Sequence, residues 1–267
     1  MGWMCDLADE MQKATSETLG GAAASGGRRQ LSEEAVTHKL LDLVDASGRI
    51  GRPVWIRDFG RASEGANGAD LELWFWERGS DLATGWLVQA KRLSPPETPG
   101  SSPKFNELAH RVRGRLQSDL LITAAAKVAG LMPVYWLYSW DFSTRRPCLG
   151  KMKCKCTPTN FDDALLVTHA STVASTLGSS WHNVVIANGL AVESLRRLWC
   201  HSSNSVVGLG LMMRDLMLAA SADNRVDNRA WFVTGLPPYV SALVHSEEYV
   251  ELTGRGTTAQ RLVLIEL

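Results

Sequence analysis

Residues Gly68–Leu93 read GADLELWFWERGSDLATGWLVQAKRL. Two strand-like runs, Ala69–Trp76 and Trp86–Leu93, flank a polar turn over 77–85, the pattern of an antiparallel hairpin. Side chains alternate faces along a strand. Asp70 and Glu72 therefore share one face, opposite Leu71, Leu73 and Phe75. On the second run Gln89 and Lys91 share a face, opposite Val88 and Ala90. One register of pairing brings Asp70 near Gln89 and Lys91, so that a carboxylate, a carboxamide oxygen and an ammonium converge at one end of a sheet. Hard cations such as Mg2+ favour such oxygen ligands, a carboxylate or two with retained waters. A bound metal polarises a phosphate and acidifies the attacking water. A nearby lysine orients that water or takes its proton. Those residue types in that pattern point to phosphodiester hydrolysis. The competing reading is a sheet face whose charged groups meet water.

Upstream of the hairpin, Ser32 is a candidate N-cap, with Glu33 and Glu34 in the first turn complementing the helix dipole. Val36, Leu40, Leu43 and Val44 follow at helical spacing, and Ser47-Gly48 ends the helix. Val54–Phe59 alternates like a strand. Downstream, Ser94–Pro103 is a Pro- and Ser-rich loop. Leu108, Val112, Leu116 and Leu120 predict a long helix running to about Ala129, and Pro133–Trp140 a strand apolar on both faces. The order is α, β, β, β, α, β, an α/β arrangement. Beyond Asp141 the pattern is weaker: a strand near Asn183–Ala187, a helix over Leu209–Ser221 and a terminal strand in RLVLIEL. Residues 1–30 read as a tail, a short amphipathic helix over Met1–Thr18 followed by a flexible linker, GGAAASGGRR, over Gly20–Arg29. Residues 31–267 then form one domain, with a core over about 31–140 and a C-terminal α/β extension.

Asp70 followed by Gln89-Ala90-Lys91 resembles the PD-(D/E)xK motif of restriction-endonuclease-like nucleases, and VQAKRL resembles the Gln-x-Lys variant of Mrr-type enzymes. The αβββαβ order resembles that fold's core, built on a mixed central sheet. EEAVTHKLL, GADLELW, QAKRL and QSDLLITAAAKVAGLMPVYWLYS together are similar to an uncharacterised bacterial family. The resemblance covers residues 31–140 well and the remainder weakly. It implies that Asp70 is the main metal carboxylate, that Gln89 stands at the second metal-ligand position, and that Lys91 serves the nucleophilic water. It implies supporting roles for Glu34 on the first helix and Gln117 on the helix after the motif strand, with Glu64 a further candidate carboxylate. It implies Mg2+ or Mn2+ as cofactor, DNA as partner and a place in bacterial defence. Gly68-Ala69 stands where a Pro often precedes the Asp. Gln89 stands where an acidic residue is common, which removes one negative charge and weakens metal binding unless Glu64, Glu72 or Glu34 compensates. A nuclease fold that has lost activity and serves as a binding or assembly module is the alternative.

The chain has 267 residues, 45% hydrophobic and 21% charged, and its formal net charge is +0. Net charge therefore gives no case for a nucleic-acid binder, and such a role needs a local basic patch. Arg111 and Arg115, and Arg113 with Gln117, are spaced to share helix faces and are candidate phosphate contacts. The sparse, odd set Cys5, Cys148, Cys154, Cys156 and Cys200 suggests reduced thiols and a cytoplasmic location. The start, MGWMCDLADEMQ, lacks the basic and apolar regions of a secretory signal. Leu120–Trp140 is apolar, but Lys127, Gly130 and Pro133 interrupt it, so no membrane span is expected. A homodimer is left open.

Other motifs carry less. Arg145–Cys156 is a basic, Cys-rich stretch with His169 downstream, a weak zinc pattern. GLGLMM over Gly208–Met213 lacks the third glycine of a dinucleotide fingerprint. His182, Cys200 and His201 have no Ser or Asp partner in sequence and read as core or surface residues. Trp74 and Trp76 share Asp70's face and are the candidates for a base-stacking platform; the other tryptophans read as core.

Overall fold

The computed structural model describes residues 3–24, 31–58, 69–94, 105, 107–139, 164–179, 192–202, 205–220, 231–245, 259 and 261–267. The chain opens on helices α1 (Trp3–Ala24) and α2 (Glu33–Arg49). Strands β1 (Val54–Asp58), β2 (Leu71–Glu77) and β3 (Leu82–Arg92) follow. A short hairpin of β4 (Arg111–Val112) and β5 (Arg115–Leu116) leads into α3 (Gln117–Ala125) and β6 (Leu131–Tyr138). Then come β7 (Leu165–His169), α4 (Ala170–Ser179), β8 (Glu193–Ser194), α5 (Leu195–His201) and α6 (Val206–Ala220). The chain closes with β9 (Val233–Thr234), α7 (Pro238–His245) and β10 (Arg261–Glu266). From α2 to β6 the major elements run α, β, β, β, α, β, as the sequence predicts.

The main sheet is mixed, in the order β1-β10-β2-β3-β6-β7-β8, with β9 paired to β3. β2 and β3 are antiparallel, with Leu71 opposite Val88 and Glu72 opposite Leu87. β3 and β6 are parallel, with Gln89 beside Tyr135 and Lys91 beside Leu137. Of the residues expected to extend the core, β7 and β8 do so, continuing the sheet beyond β6, but the last strand enters its middle. β10 lies between β1 and β2, antiparallel to the first and parallel to the second. Its alternation explains why a strand from the far end of the chain can sit there. Val263 and Ile265 fill one apolar layer and Leu262 and Leu264 the other, as an interior strand requires.

Helices cover both faces, giving three layers around the sheet. Leu71, Leu73, Phe75, Val88 and Ala90 pack with α1, α2, α5 and α6. Trp74, Leu87, Tyr135, Leu137 and Leu264 pack with α3, α4 and α7. The N-terminal segment is no tail. Met4, Leu7 and Met11 of α1 are wholly buried, and Gly20–Ala24, expected in a linker, continue the helix. Gln12 pairs with a strand backbone: its Nε2 donates to the Leu165 carbonyl at 2.9 Å and its Oε1 accepts from the Leu165 N–H at 2.5 Å. Cys5 on α1 is disulfide-bonded to Cys200 on α5, which corrects the expectation of reduced thiols for this pair. Cys148, Cys154, Cys156 and His182 lie outside the described residues.

A second correction concerns the long helix expected from Leu108. Arg111 pairs with Leu116 and Val112 with Arg115 across a tight hairpin. Its central residues, Arg113 and Gly114, have φ of 51° and 82°, the left-handed pair that a type I′ turn demands. Only Gln117–Ala125 is helical here. No helix among the described residues is long and apolar enough to cross a membrane.

Candidate functional site

Asp70 immediately precedes β2, and its backbone N–H donates to the Val88 carbonyl at 2.9 Å. That bond is offset by one residue from the β2–β3 register, in which Leu71 already stands opposite Val88, and the half-buried Asp70 side chain reaches Gln89. Asp70 Oδ2 accepts from Gln89 Nε2 at 2.6 Å and from the Ala90 N–H at 2.8 Å. Gln89 Nε2 also donates to the Ala90 carbonyl at 3.1 Å, while its Oε1 accepts from Gln117 Nε2 at 2.7 Å. Gln117 is the first residue of α3, buried against the sheet, and its backbone N–H donates to the His110 carbonyl at 3.0 Å. Asp70, Gln89 and the supporting Gln117 therefore form one hydrogen-bonded chain.

Lys91 lies two residues further along the same face of β3, with its side chain 5% exposed. Its Nζ is 3.6 Å from Glu33 Oε2 and 3.5 Å from Glu107 Oε2. Glu33 Oε1 accepts from the Arg92 N–H at 3.1 Å. Burial pushes the Glu33 carboxyl above its ordinary value of 4.5; the Lys91 ammonium and the Arg92 N–H pull it back, and Glu107 adds to the rise. At this end of the sheet the N-terminus of α2 is fastened by Ser32, whose Oγ accepts from the Ala35 N–H at 3.1 Å. Thr37 Oγ1 of α2 lies 2.9 Å from Tyr138 Oη.

The helix carboxylate at the site is thus Glu33, and the expected Glu34 is exposed and sits 3.8 Å from His38 Nε2. One residue on a helix is a rotation of about 100°, enough to change sides. The signal was present: Glu33 continues the buried series Val36, Thr37, Leu40 and Val44 back by one turn. Glu107, at the edge of the Pro-rich segment, carried no such signal. Glu72 is buried on Asp70's face, but its carboxylate accepts from Trp74 Nε1 at 2.7 Å and from the Tyr239 hydroxyl. Burial raises the Tyr239 hydroxyl far above its ordinary value, and the Glu72 charge adds to the rise. Trp74 is 0% exposed, so it is packing and a hydrogen-bond donor, not a stacking platform. Trp76 Nε1 donates to Asp81 Oδ1 at 3.1 Å, and the Arg78 guanidinium lies over its ring. Glu64 lies outside the described residues.

Arg111, Arg113 and Arg115 are exposed, on the β4–β5 hairpin that leads directly to Gln117, and not on helix faces. Arg111 Nη1 donates to the Gly114 carbonyl at 2.8 Å and Arg115 Nη2 to Thr123 Oγ1 at 3.2 Å. The polar row also extends where sequence reasoning saw only a buried apolar strand. Tyr135, beside Gln89 in register, carries a fully buried hydroxyl without a hydrogen-bond partner among the described residues. Burial, and then the Asp70 charge, hold that hydroxyl well above its ordinary value.

Among the described residues no three His, Cys, Asp or Glu side chains gather closely enough to hold a metal ion. The oxygens near Asp70 are of mixed kind. Asp70 Oδ2 and the Ala90 carbonyl converge on one atom, Gln89 Nε2, at 2.6 and 3.1 Å. One carboxylate and a carbonyl, completed by waters and substrate oxygens, suit a weakly held Mg2+ or Mn2+. Asp70 and Ala90 through its backbone carbonyl are the groups that would hold it, while Gln89 Oε1 faces Gln117.

No curated protein and no solved structure matches the chain. A protein-family model, described as a family of unknown function (DUF6615), matches residues 4–266. The match takes in α1 and β10 as well as the hairpin, and the chain belongs to that family.

Proposed function

We propose that this protein is a metal-dependent nuclease with a restriction-endonuclease-like core, hydrolysing phosphodiester bonds in DNA at the β2–β3 end of its sheet. The observation that carries the reading is the contact between Asp70 and Gln89 at 2.6 Å with Lys91 on the same strand face. In this reading a divalent cation, when bound, polarises the phosphate and acidifies a water. Asp70 and the Ala90 carbonyl would hold that cation. Gln117 orients Gln89. Lys91, steadied between Glu33 and Glu107, presents an ammonium to the water or to a phosphate oxygen. The exposed arginines of the β4–β5 hairpin contact the DNA backbone beside the site. A role in bacterial defence rests on the motif resemblance alone.

The experiment is plasmid DNA incubated with the purified protein and Mg2+ or Mn2+, with EDTA and Lys91→Ala as controls. The reading expects cation-dependent nicking or linearisation that both controls abolish. Cleavage that survives EDTA, or that Lys91→Ala leaves unchanged, refutes the assigned site. Cation-independent DNA binding with no cleavage under any condition favours a non-catalytic binding module instead.

A further inference from the structure

The Gln89 carboxamide is oriented by its surroundings. Asp70 Oδ2 and the Ala90 carbonyl are both acceptors, and they lie 2.6 and 3.1 Å from Nε2. An amide oxygen there would face two other oxygens, so the nitrogen must take that side. Oε1 then faces Gln117, which donates to it at 2.7 Å. The NH2 group therefore donates to two hard oxygens that a cation lying beside it would also contact.

We propose that Gln89 is a displaceable plug for this cation site and that Gln89 and Gln117 turn over together when a divalent cation binds. The inference rests on the cation site of the proposed function. The terminal torsion of a glutamine is broad and nearly two-fold, so a rotation of about 180° exchanges Oε1 and Nε2 with little displacement of the side chain. After rotation Gln89 presents Oε1 beside Asp70 and the Ala90 carbonyl, three oxygens to one cation. Its NH2 group now faces Gln117. Gln117 must rotate in turn to offer its own oxygen, because two NH2 groups cannot satisfy each other. The Gln89–Gln117 hydrogen bond survives with its direction reversed. A carboxylate at position 89 cannot play the first part, since without a cation it would repel Asp70 and offer no proton to the Ala90 carbonyl. The amide thus supplies a donor to Asp70 and to the Ala90 carbonyl when the site is empty, at the expense of affinity when filled. Gln117 is a positioning residue in this scheme.

The test uses the full chain labelled with 15N in its glutamine side chains, titrated with MgCl2, with Mn2+ affinity measured by calorimetry. The amide signals of Gln89 and Gln117 are assigned from Gln89→Glu and Gln117→Met. The expected result is that both signals move with one midpoint while that of Gln12, on α1, stays fixed. Gln89→Glu binds Mn2+ at least about tenfold more tightly than the wild type. Gln117→Glu, which can only accept, favours the rotated Gln89 and tightens binding by about tenfold. That gain disappears on the Gln89→Glu background, whereas a pure charge effect would persist there. Cation binding with the Gln89 and Gln117 signals unmoved overturns the coupled rotation and leaves the cation site standing. Absence of cation binding by wild type and Gln89→Glu alike overturns both.

Discussion

Replacing Lys91 with Met keeps the aliphatic stem and removes the ammonium, which isolates what the charge does for the fold. The ammonium sits 3.6 Å from Glu33 and 3.5 Å from Glu107, with side chains 5%, 21% and 64% exposed respectively. At 3.6 Å and an effective dielectric of about 20 the gross attraction to Glu33 is about 5 kcal/mol. Desolvation offsets much of it, and the exposed Glu107 adds little. Glu33 also keeps the Arg92 N–H and the positive end of α2. We expect Lys91→Met to cost about 2 kcal/mol at pH 7. The pH dependence follows from Glu33, whose folded carboxyl lies above its ordinary value of 4.5. Between those two values the folded chain binds more protons than the unfolded one, so stability falls as pH rises through the window. Loss of Lys91 raises the folded carboxyl further and widens that window. The cost should therefore be full at pH 7 and smaller near pH 5. Adding Glu33→Gln to Lys91→Met removes the stranded carboxylate and should recover most of the loss. Urea unfolding of both variants at both pH values is the assay. A Lys91→Met chain as stable as the wild type at pH 7, or one that Glu33→Gln fails to rescue, refutes the argument.

Gly85→Ala should destabilise by about 1–3 kcal/mol through overpacking, because its Cβ would lie 2.7 Å from Trp74 Cε2 and 2.8 Å from Leu131 Cδ1. An unchanged urea midpoint would contradict that packing. Gln12→Leu strands the Leu165 N–H and carbonyl, and should cost about 2–4 kcal/mol and speed hydrogen exchange at Leu165. Slow exchange at Leu165 in the variant would show that α1 does not serve as its partner. Reducing Cys5–Cys200 should lower stability by about 2–4 kcal/mol; equal midpoints with and without reductant would mean that the bond is absent in solution.

Alternation along β2 and β3 is set by covalent geometry, so the shared face of Asp70, Gln89 and Lys91 was legible from residues alone. Gln117 was legible through the resemblance. Val112 and Leu116 are four apart, a spacing that a helix and this hairpin both satisfy, so the residues alone place the arginines on a helix. Gly114, within that run, was the local sign of a break. Glu33 and Glu34 both suit a first helical turn, and only the buried stripe separates them. The insertion of β10 between β1 and β2, the pairing of Gln12 with Leu165 and the Cys5–Cys200 bond link distant parts of the chain. No local pattern encodes such partners. Tyr135 was hidden for another reason: its apolar neighbours made the strand read as uniformly hydrophobic, whereas its hydroxyl adds to the polar row beside Gln89.

The rate of DNA cleavage by Asp70→Asn bears most directly on the proposed chemistry. Asparagine keeps the volume and an oxygen that can accept from the Ala90 N–H, so the unfolding midpoint should stay close to that of the wild type. The substitution removes the charge that would face the cation. The account predicts a fall in the Mg2+-dependent cleavage rate of about 100-fold or more. A folded Asp70→Asn chain that cleaves DNA at the wild-type rate would contradict it.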